Sequence, residues 1–111
     1  MVRVMLSLSR ERLSLVMQGH AGCGAMGSDL VCAACSILAH TLCRMVQNGV
    51  EKGMFYALPT THISSGNAIV NCTPRAEFYE EMLHAYYMAQ VGLSLLQREY
   101  PESIELSVVE G

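Results

Sequence analysis

Val2, Val4, Leu6 and Leu8 alternate with Arg3, Met5, Ser7 and Ser9, the period of two expected of a strand with one buried face. Arg10-Glu11 makes a polar turn, and Leu13, Leu15 and Met17 then continue the alternation against Arg12, Ser14 and Gln18. The pattern predicts an antiparallel hairpin of strands over 2–9 and 12–19. Residues 19–28, GHAGCGAMGS, hold four glycines, and so dense a cluster predicts a loop with positive φ angles. Ser28 or Asp29 suits the N-cap of a following helix over 29–47, with Asn48-Gly49 as its stop.

At 100° per residue that helix is apolar nearly all round. Cys32, Cys35, Ser36, Ala39 and Cys43 form a stripe of small side chains, and Leu30, Ile37, Leu38, Leu42 and Met45 cover most of the remainder. Such a helix needs burial on both sides. One side packs on its own sheet and the other predicts a second subunit, hence a homodimer.

Residues 54–58 and 61–72 read as a second pair of strands, with Ser65-Gly66-Asn67 as a bulge or turn. Thr73-Pro74 opens a second helix, Thr as cap and Pro at its first position. Glu77, Glu80 and Glu81 lie near its positive end. Phe78, Met82, Ala85, Ala89, Leu93 and Leu96 recur at helical spacing through Glu99, and Pro101 blocks continuation. Ile104, Leu106 and Val108 make a last strand. No linker or repeat divides the chain, so residues 1–111 read as one domain. The order ββαββαβ predicts a two-layer α+β fold: a mostly antiparallel sheet of about five strands with two helices.

Composition narrows the classes. With 51% apolar and 15% charged residues and a net charge of −3, disorder is excluded and nucleic-acid binding disfavoured. The longest uncharged apolar stretch, Leu30 to Cys43, is shorter than the roughly 20 residues of a membrane span. The alternating, Arg-bearing start is not a signal-peptide pattern. A cytoplasmic location follows, in which five cysteines, an odd number, are thiols and not a disulfide framework.

Among candidate reactive groups, His20 ends a strand beside the glycine loop and Cys32 falls in the first turn of the next helix. Free N–H groups and the helix dipole stabilise a thiolate there, and a nearby His makes it a nucleophile. The same N–H groups could hold an oxyanion. On spacing alone, Cys32 also fits a small buried hydrophobe. Cys32-Ala-Ala-Cys35 lacks the βαβ setting of a thioredoxin motif, and no second pair completes a zinc site. No metal and no cofactor are expected. Asp29 reads as an N-cap or as a carboxylate orienting His20. Ser36, one turn past Cys32, could bond near the thiol or to its own backbone. Cys35, Cys43 and Cys72 are expected to pack inside, and His40, His62 and His84 to be structural.

The segment from Gly19 to Leu38, GHAGCGAMGSDLVCAACSIL, resembles the ribosomal-processing cysteine protease family, Prp. Its pattern is Gly-His-Ala, a glycine-containing loop, then Asp-[Ile/Leu/Val]-Val-Cys-Ala-Ala-x-Ser. Here it is met by Gly19-His20-Ala21 and by Asp29-Leu30-Val31-Cys32-Ala33-Ala34 with Ser36. Hairpin, length and element order extend the likeness over essentially the whole chain, although only this motif is specific. The resemblance implies a Cys–His endopeptidase that trims the N-terminal extension of a bacterial large-subunit ribosomal protein, number twenty-seven. It casts Cys32 as nucleophile, His20 as general base, and Asp29 and Ser36 as accessory residues. Gly19, Ala21, Gly22, Gly24 and Gly27 would form a substrate loop, and the active form would be a dimer. Cys23 stands where an aromatic residue is more usual and Cys35 where an aliphatic one is, which bears on redox behaviour and not on the dyad. Two other classes compete: a non-catalytic ribosome-assembly factor for the same partner, and a thiol redox or metal-binding module.

Overall fold

In the computed structural model, which describes residues 1–22 and 27–111, five strands form one sheet. Strands β1 (Val2–Leu8), β2 (Leu13–Gln18), β3 (Thr60–Ser64), β4 (Asn67–Cys72) and β5 (Ile104–Glu110) take the order β3-β4-β2-β1-β5. All neighbours are antiparallel except β1 and β5, which run parallel. The helices are α1 (Ser28–Glu51) and α2 (Tyr79–Glu99), so the order ββαββαβ and the two-layer α+β architecture are as expected.

Alternation decides which face is covered. Val4, Leu6, Leu13, Leu15, Ala68 and Val70 point to the helical layer and are buried. Helix α1 lays Val31, Cys35, Ala39, Leu42 and Val46 against them, and α2 adds Met82, Tyr86, Ala89 and Leu93. Each fully buried aliphatic side chain contributes about 1.5–3 kcal/mol. The helices touch at Gly92, where a Cβ would come 2.9 Å from Leu38.

Local structure departs from the sequence reading in four places. The N-cap of α1 is neither Ser28 nor Asp29. Gly27, at φ 80°, caps it without a side-chain bond, its carbonyl accepting the Val31 N–H at 2.9 Å, while Ser28 and Asp29 enter the first turn. The helix also runs past Asn48-Gly49 to Glu51. Gly49 is buried inside it because the Phe55 ring leaves no room for a side chain: a Cβ there would lie 2.8 Å from Phe55 Cε2.

The third difference is that residues 54–58 form no strand. Met54 and Phe55 are both buried, although they are adjacent, and an isolated bridge joins Phe55 to Pro74. The second strand pair instead lies inside the stretch 61–72, extended by one residue to Thr60 and divided by the Ser65-Gly66 turn. Fourth, Pro74 does not start α2. Thr73 O accepts from Tyr56 N at 3.0 Å and Arg75 N donates to Met54 O at 2.8 Å, which holds this segment extended. A 3₁₀ turn, Ala76–Phe78, follows before α2 begins at Tyr79.

At 24 residues, α1 is long and apolar enough to cross a membrane, by length and composition alone. Core helices pass the same test, and one face of α1 is committed to the sheet.

Candidate active site

Strand β2 ends at Gln18, and the backbone must turn at once to reach α1. Gly19 makes that turn at φ 97°, where a Cβ would overlap the Met1 carbonyl oxygen. Two backbone bonds fix the exit: Gly19 N donates to Gly66 O at 2.9 Å, and Met1 N donates to His20 O at 2.6 Å. The His20 side chain is exposed and its ring lies against Gly66, where a Cβ would stand 2.5 Å from Nε2.

Cys32 enters from the other side, at the end of the first turn of α1. Its thiol is half-buried and accepts the Ala21 N–H at 3.4 Å. The residue next to His20 is thereby held against the sulfur. The N–H groups of Ser28 to Leu30 precede the first helical bond and have no partner within the helix. His20 and Cys32 line one cleft of about 200 Å³ with Gly19, Cys35 and Ser36, closed on the far side by the β3–β4 turn at residues 64–67. Among the described residues no hydrogen bond joins His20 to Cys32, and the thiol's partner is backbone. In free enzymes, catalytic hydrogen bonds are often long and tighten only around substrate.

The remaining sequence-derived positions distribute as follows. Ser36 lines the same cleft. Asp29 is exposed in the first turn of α1, where a carboxylate suits the positive end of the helix. Among the described residues no bond links Asp29 to His20. Ala21 is buried, Gly22 is exposed with open space around it, and Gly27 packs on the Tyr100 ring. Cys23 and Gly24 lie outside the described residues.

Cys32, Cys35, Cys43 and Cys72 are free thiols. Burial pushes Cys35 up to about 11, with the charge of neighbouring Cys32 as the smaller cause. Burial likewise pushes Cys72 up to about 11 against a lowering bond with Tyr86. Both are therefore protonated at neutral pH and inert as nucleophiles. Cys43 is half-buried, packed against the core and also bordering an open groove between α1 and β3. His40, His62 and His84 are all exposed rather than built into the interior. Among the described residues no three His, Cys, Asp or Glu side chains converge as metal ligands.

The wall at residues 64–67 was not legible as part of a site. Its Ser-Gly-Asn sequence signals a turn, but only the pairing of β4 with β2 brings that turn beside the residue that follows β2.

No curated protein sequence matches the chain. Solved structures do. A Streptococcus mutans protein shares 21% identity at a TM-score of 0.70, covering 100% of this chain and 96% of its own. A ribosomal processing protease Prp from S. aureus, in complex with a substrate peptide, shares 21% identity at a TM-score of 0.69, with 97% and 99% covered. The S. aureus protease with a covalently linked product peptide gives 21% and 0.68 over the same shares. At such identities the likeness establishes the fold. The family model for cysteine protease Prp matches residues 1–105, and with nearly the whole chain accounted for, the protein belongs to the cysteine protease Prp family.

Proposed function

We propose that this protease is an endopeptidase that removes the N-terminal extension of a bacterial large-subunit ribosomal protein, number twenty-seven, in the cytoplasm, using Cys32 as nucleophile and His20 as general base and acid. The observation that carries the reading is the shared cleft, in which the thiol takes the Ala21 N–H beside an exposed imidazole. The S. aureus relative crystallised with substrate and product peptides is a ribosomal processing protease, which supports the substrate class.

In the proposed cycle, His20 takes the Cys32 proton and the sulfur attacks the scissile carbonyl. The tetrahedral oxyanion is held by the N–H groups at the start of α1 that have no partner within the helix. Collapse breaks the C–N bond as His20 gives its proton to the leaving amine, leaving a thioester. Water, deprotonated by His20, attacks that thioester and returns Cys32 as the thiol. Asp29 and Ser36 act as accessory groups: Asp29 through the field at the helix start, Ser36 from the cleft wall. No cofactor takes part.

The active form is a homodimer. Leu30 and Ile37, seven residues apart on α1, are 55% and 63% exposed. Met88, Val91 and Leu95 on α2 are 71%, 60% and 54% exposed. Apolar side chains so spaced on outer helix faces suit a second copy. Sedimentation of the protein and of Val91→Glu tests this: a dimer and a monomer respectively are expected.

Incubating the unprocessed ribosomal protein with the purified enzyme and weighing the products by mass spectrometry tests the activity. A shortened product is expected from the parent and none from Cys32→Ala or His20→Ala. Equal processing by Cys32→Ala would overturn the mechanism.

A further inference from the structure

Helix α2 ends at Glu99 because Pro101 bars its continuation, and the residue before a proline is pushed out of helical geometry. Tyr100 accordingly takes φ −131° and ψ 62°. Its N–H still closes the helix on Leu96 O at 2.7 Å, and its carbonyl accepts the Ser103 N–H at 2.9 Å across a turn with Pro101 in second position. Ser103 is buried, and its own carbonyl accepts the Val2 N–H at 2.9 Å, at the start of β1. With its backbone tied on both sides, Tyr100 is half-buried and packs against the core. The ring edge fills the space beside the Gly27 Cα. A Cβ there would overlap Cε1 and lie 2.9 Å from Cδ1 and 3.1 Å from Cζ, and these three nearest atoms all belong to Tyr100.

We infer that Tyr100 is a positioning residue for catalysis: its ring fixes Gly27, and through Gly27 the first turn of α1 on which Cys32 depends. This rests on the protease reading above and adds to it a residue far from the Gly19–Leu38 motif. Gly27 caps α1 with no side-chain bond, through a left-handed backbone at φ 80° and a carbonyl that accepts the Val31 N–H at 2.9 Å. Cys32 is the next residue. Glycine is conformationally permissive and helix ends fray, so a glycine cap keeps one conformation only where its surroundings impose it. The Tyr100 ring is that constraint. Without it the N–H groups of Ser28 to Leu30 lose their aim, and Cys32 drifts from the Ala21 N–H that it accepts at 3.4 Å. Ring carbons make the contact. Phenylalanine can therefore replace tyrosine, whereas alanine leaves a gap beside the cap.

The test measures kcat and KM on a peptide spanning the cleavage site, well below the melting temperature, with hydrogen exchange of α1 read in parallel. Tyr100→Ala is expected to lower kcat about tenfold with KM within about twofold, and to speed exchange over residues 28–35. Tyr100→Phe should match the parent in both. Tyr100→Leu, which keeps bulk without the flat ring, gives the same reading as alanine if the alanine variant does not fold. Leu83→Ala is the control for stability alone: Leu83 packs against the core nearer the start of α2, so its truncation should lower Tm and leave kcat unchanged. Gly27→Ala should cost less kcat in Tyr100→Ala than in the parent, because the two residues act through one contact. A parental kcat in Tyr100→Ala would overturn the inference. So would an equal loss in Tyr100→Phe or in Leu83→Ala, or losses that simply multiply in the double variant. Failure of the protease reading itself shows differently, as no cleavage by the parent. Exchange over residues 28–35 then decides alone: faster exchange in Tyr100→Ala but not in Tyr100→Phe supports the contact, and any other pattern overturns it.

Discussion

The imidazole of His20 rests on Gly66, at the tip of the β3–β4 hairpin, with no space between them for a methyl group. The contact joins the end of β2 to a turn 46 residues later (66 less 20), and the Gly19 N–H bond to Gly66 O anchors both sides. Gly66→Ala is expected to push the ring out of the cleft. With His20 as the proposed general base, misplacing it by about 1 Å costs on the order of a hundredfold, so kcat should fall by tenfold or more. Alanine at φ 74° also adds strain, about 1–2 kcal/mol. Peptide cleavage and thermal melting together check this: a lower Tm with unchanged kcat would show that Gly66 serves the turn alone.

The raised thiols predict selective alkylation. At pH 8 a group titrating at about 11 is ionised to about one part in a thousand, which applies to Cys35 and Cys72. Iodoacetamide at pH 8 should therefore label Cys32 in the folded protein well before either of these, and activity should fall in step with that label. Peptide mapping by mass spectrometry gives the order. Labelling of Cys35 first would contradict the burial that protects it.

The same shifts set an alkaline limit on stability. Cys35 and Cys72 have folded values above their ordinary value of 9.0, so above that pH the unfolded chain releases protons that the folded one retains. Their contribution is complete below about pH 9 and is lost as the pH rises toward 11. Tm measured from pH 8 to 11 should decline over that window, and the decline should be shallower in Cys72→Ala. Tyr86, raised further by burial, acts in the same direction.

Tyr86 is fully buried on α2, its hydroxyl donating to Val70 O at 2.8 Å and lying 3.7 Å from Cys72 Sγ. Tyr86→Phe leaves the Val70 carbonyl without that donor beneath the helix. A cost of about 1–2 kcal/mol is expected, read as a lower midpoint in urea with an unchanged slope. No loss would mean that the carbonyl finds another donor.

Where the sequence was legible, one physical signal dominated. The alternation of Val2 to Leu8 and Leu13 to Met17 could only be satisfied by a half-buried hairpin, and β1 and β2 form as read. The Gly-His-Ala and Asp-Leu-Val-Cys segments marked a site because the chain concentrates glycine, imidazole and a helix-start thiol there, and His20 and Cys32 do share a cleft. What failed to show was tertiary. Thr73-Pro74 carries a helix-start signal, but backbone bonds from Tyr56 and to Met54 hold the segment extended. Ser28 and Asp29 are good capping residues, yet the place is taken by Gly27, whose φ of 80° and close packing on Tyr100 exclude a side chain.

Gly49 shows the same conflict in a form that reverses the usual sign of a substitution. Replacing a glycine inside a helix by alanine ordinarily stabilises it by about 1 kcal/mol, because glycine loses the most backbone entropy on folding. Here the helix passes over residues 54–55 so closely that the new Cβ would lie 2.8 Å from Phe55 Cε2, 3.0 Å from Phe55 Cζ and 3.2 Å from Met54 Sδ. Both neighbours are buried, and Phe55 is tied by its bridge to Pro74, so the ring cannot swing into solvent. Overpacking a closed core costs about 1–3 kcal/mol, which exceeds the helical gain. Gly49→Ala is therefore expected to lower stability in urea. The double variant Gly49→Ala with Phe55→Leu, which relieves the overlap, should recover part of the loss, whereas a stabilised Gly49→Ala would show that the 54–55 segment yields to the helix.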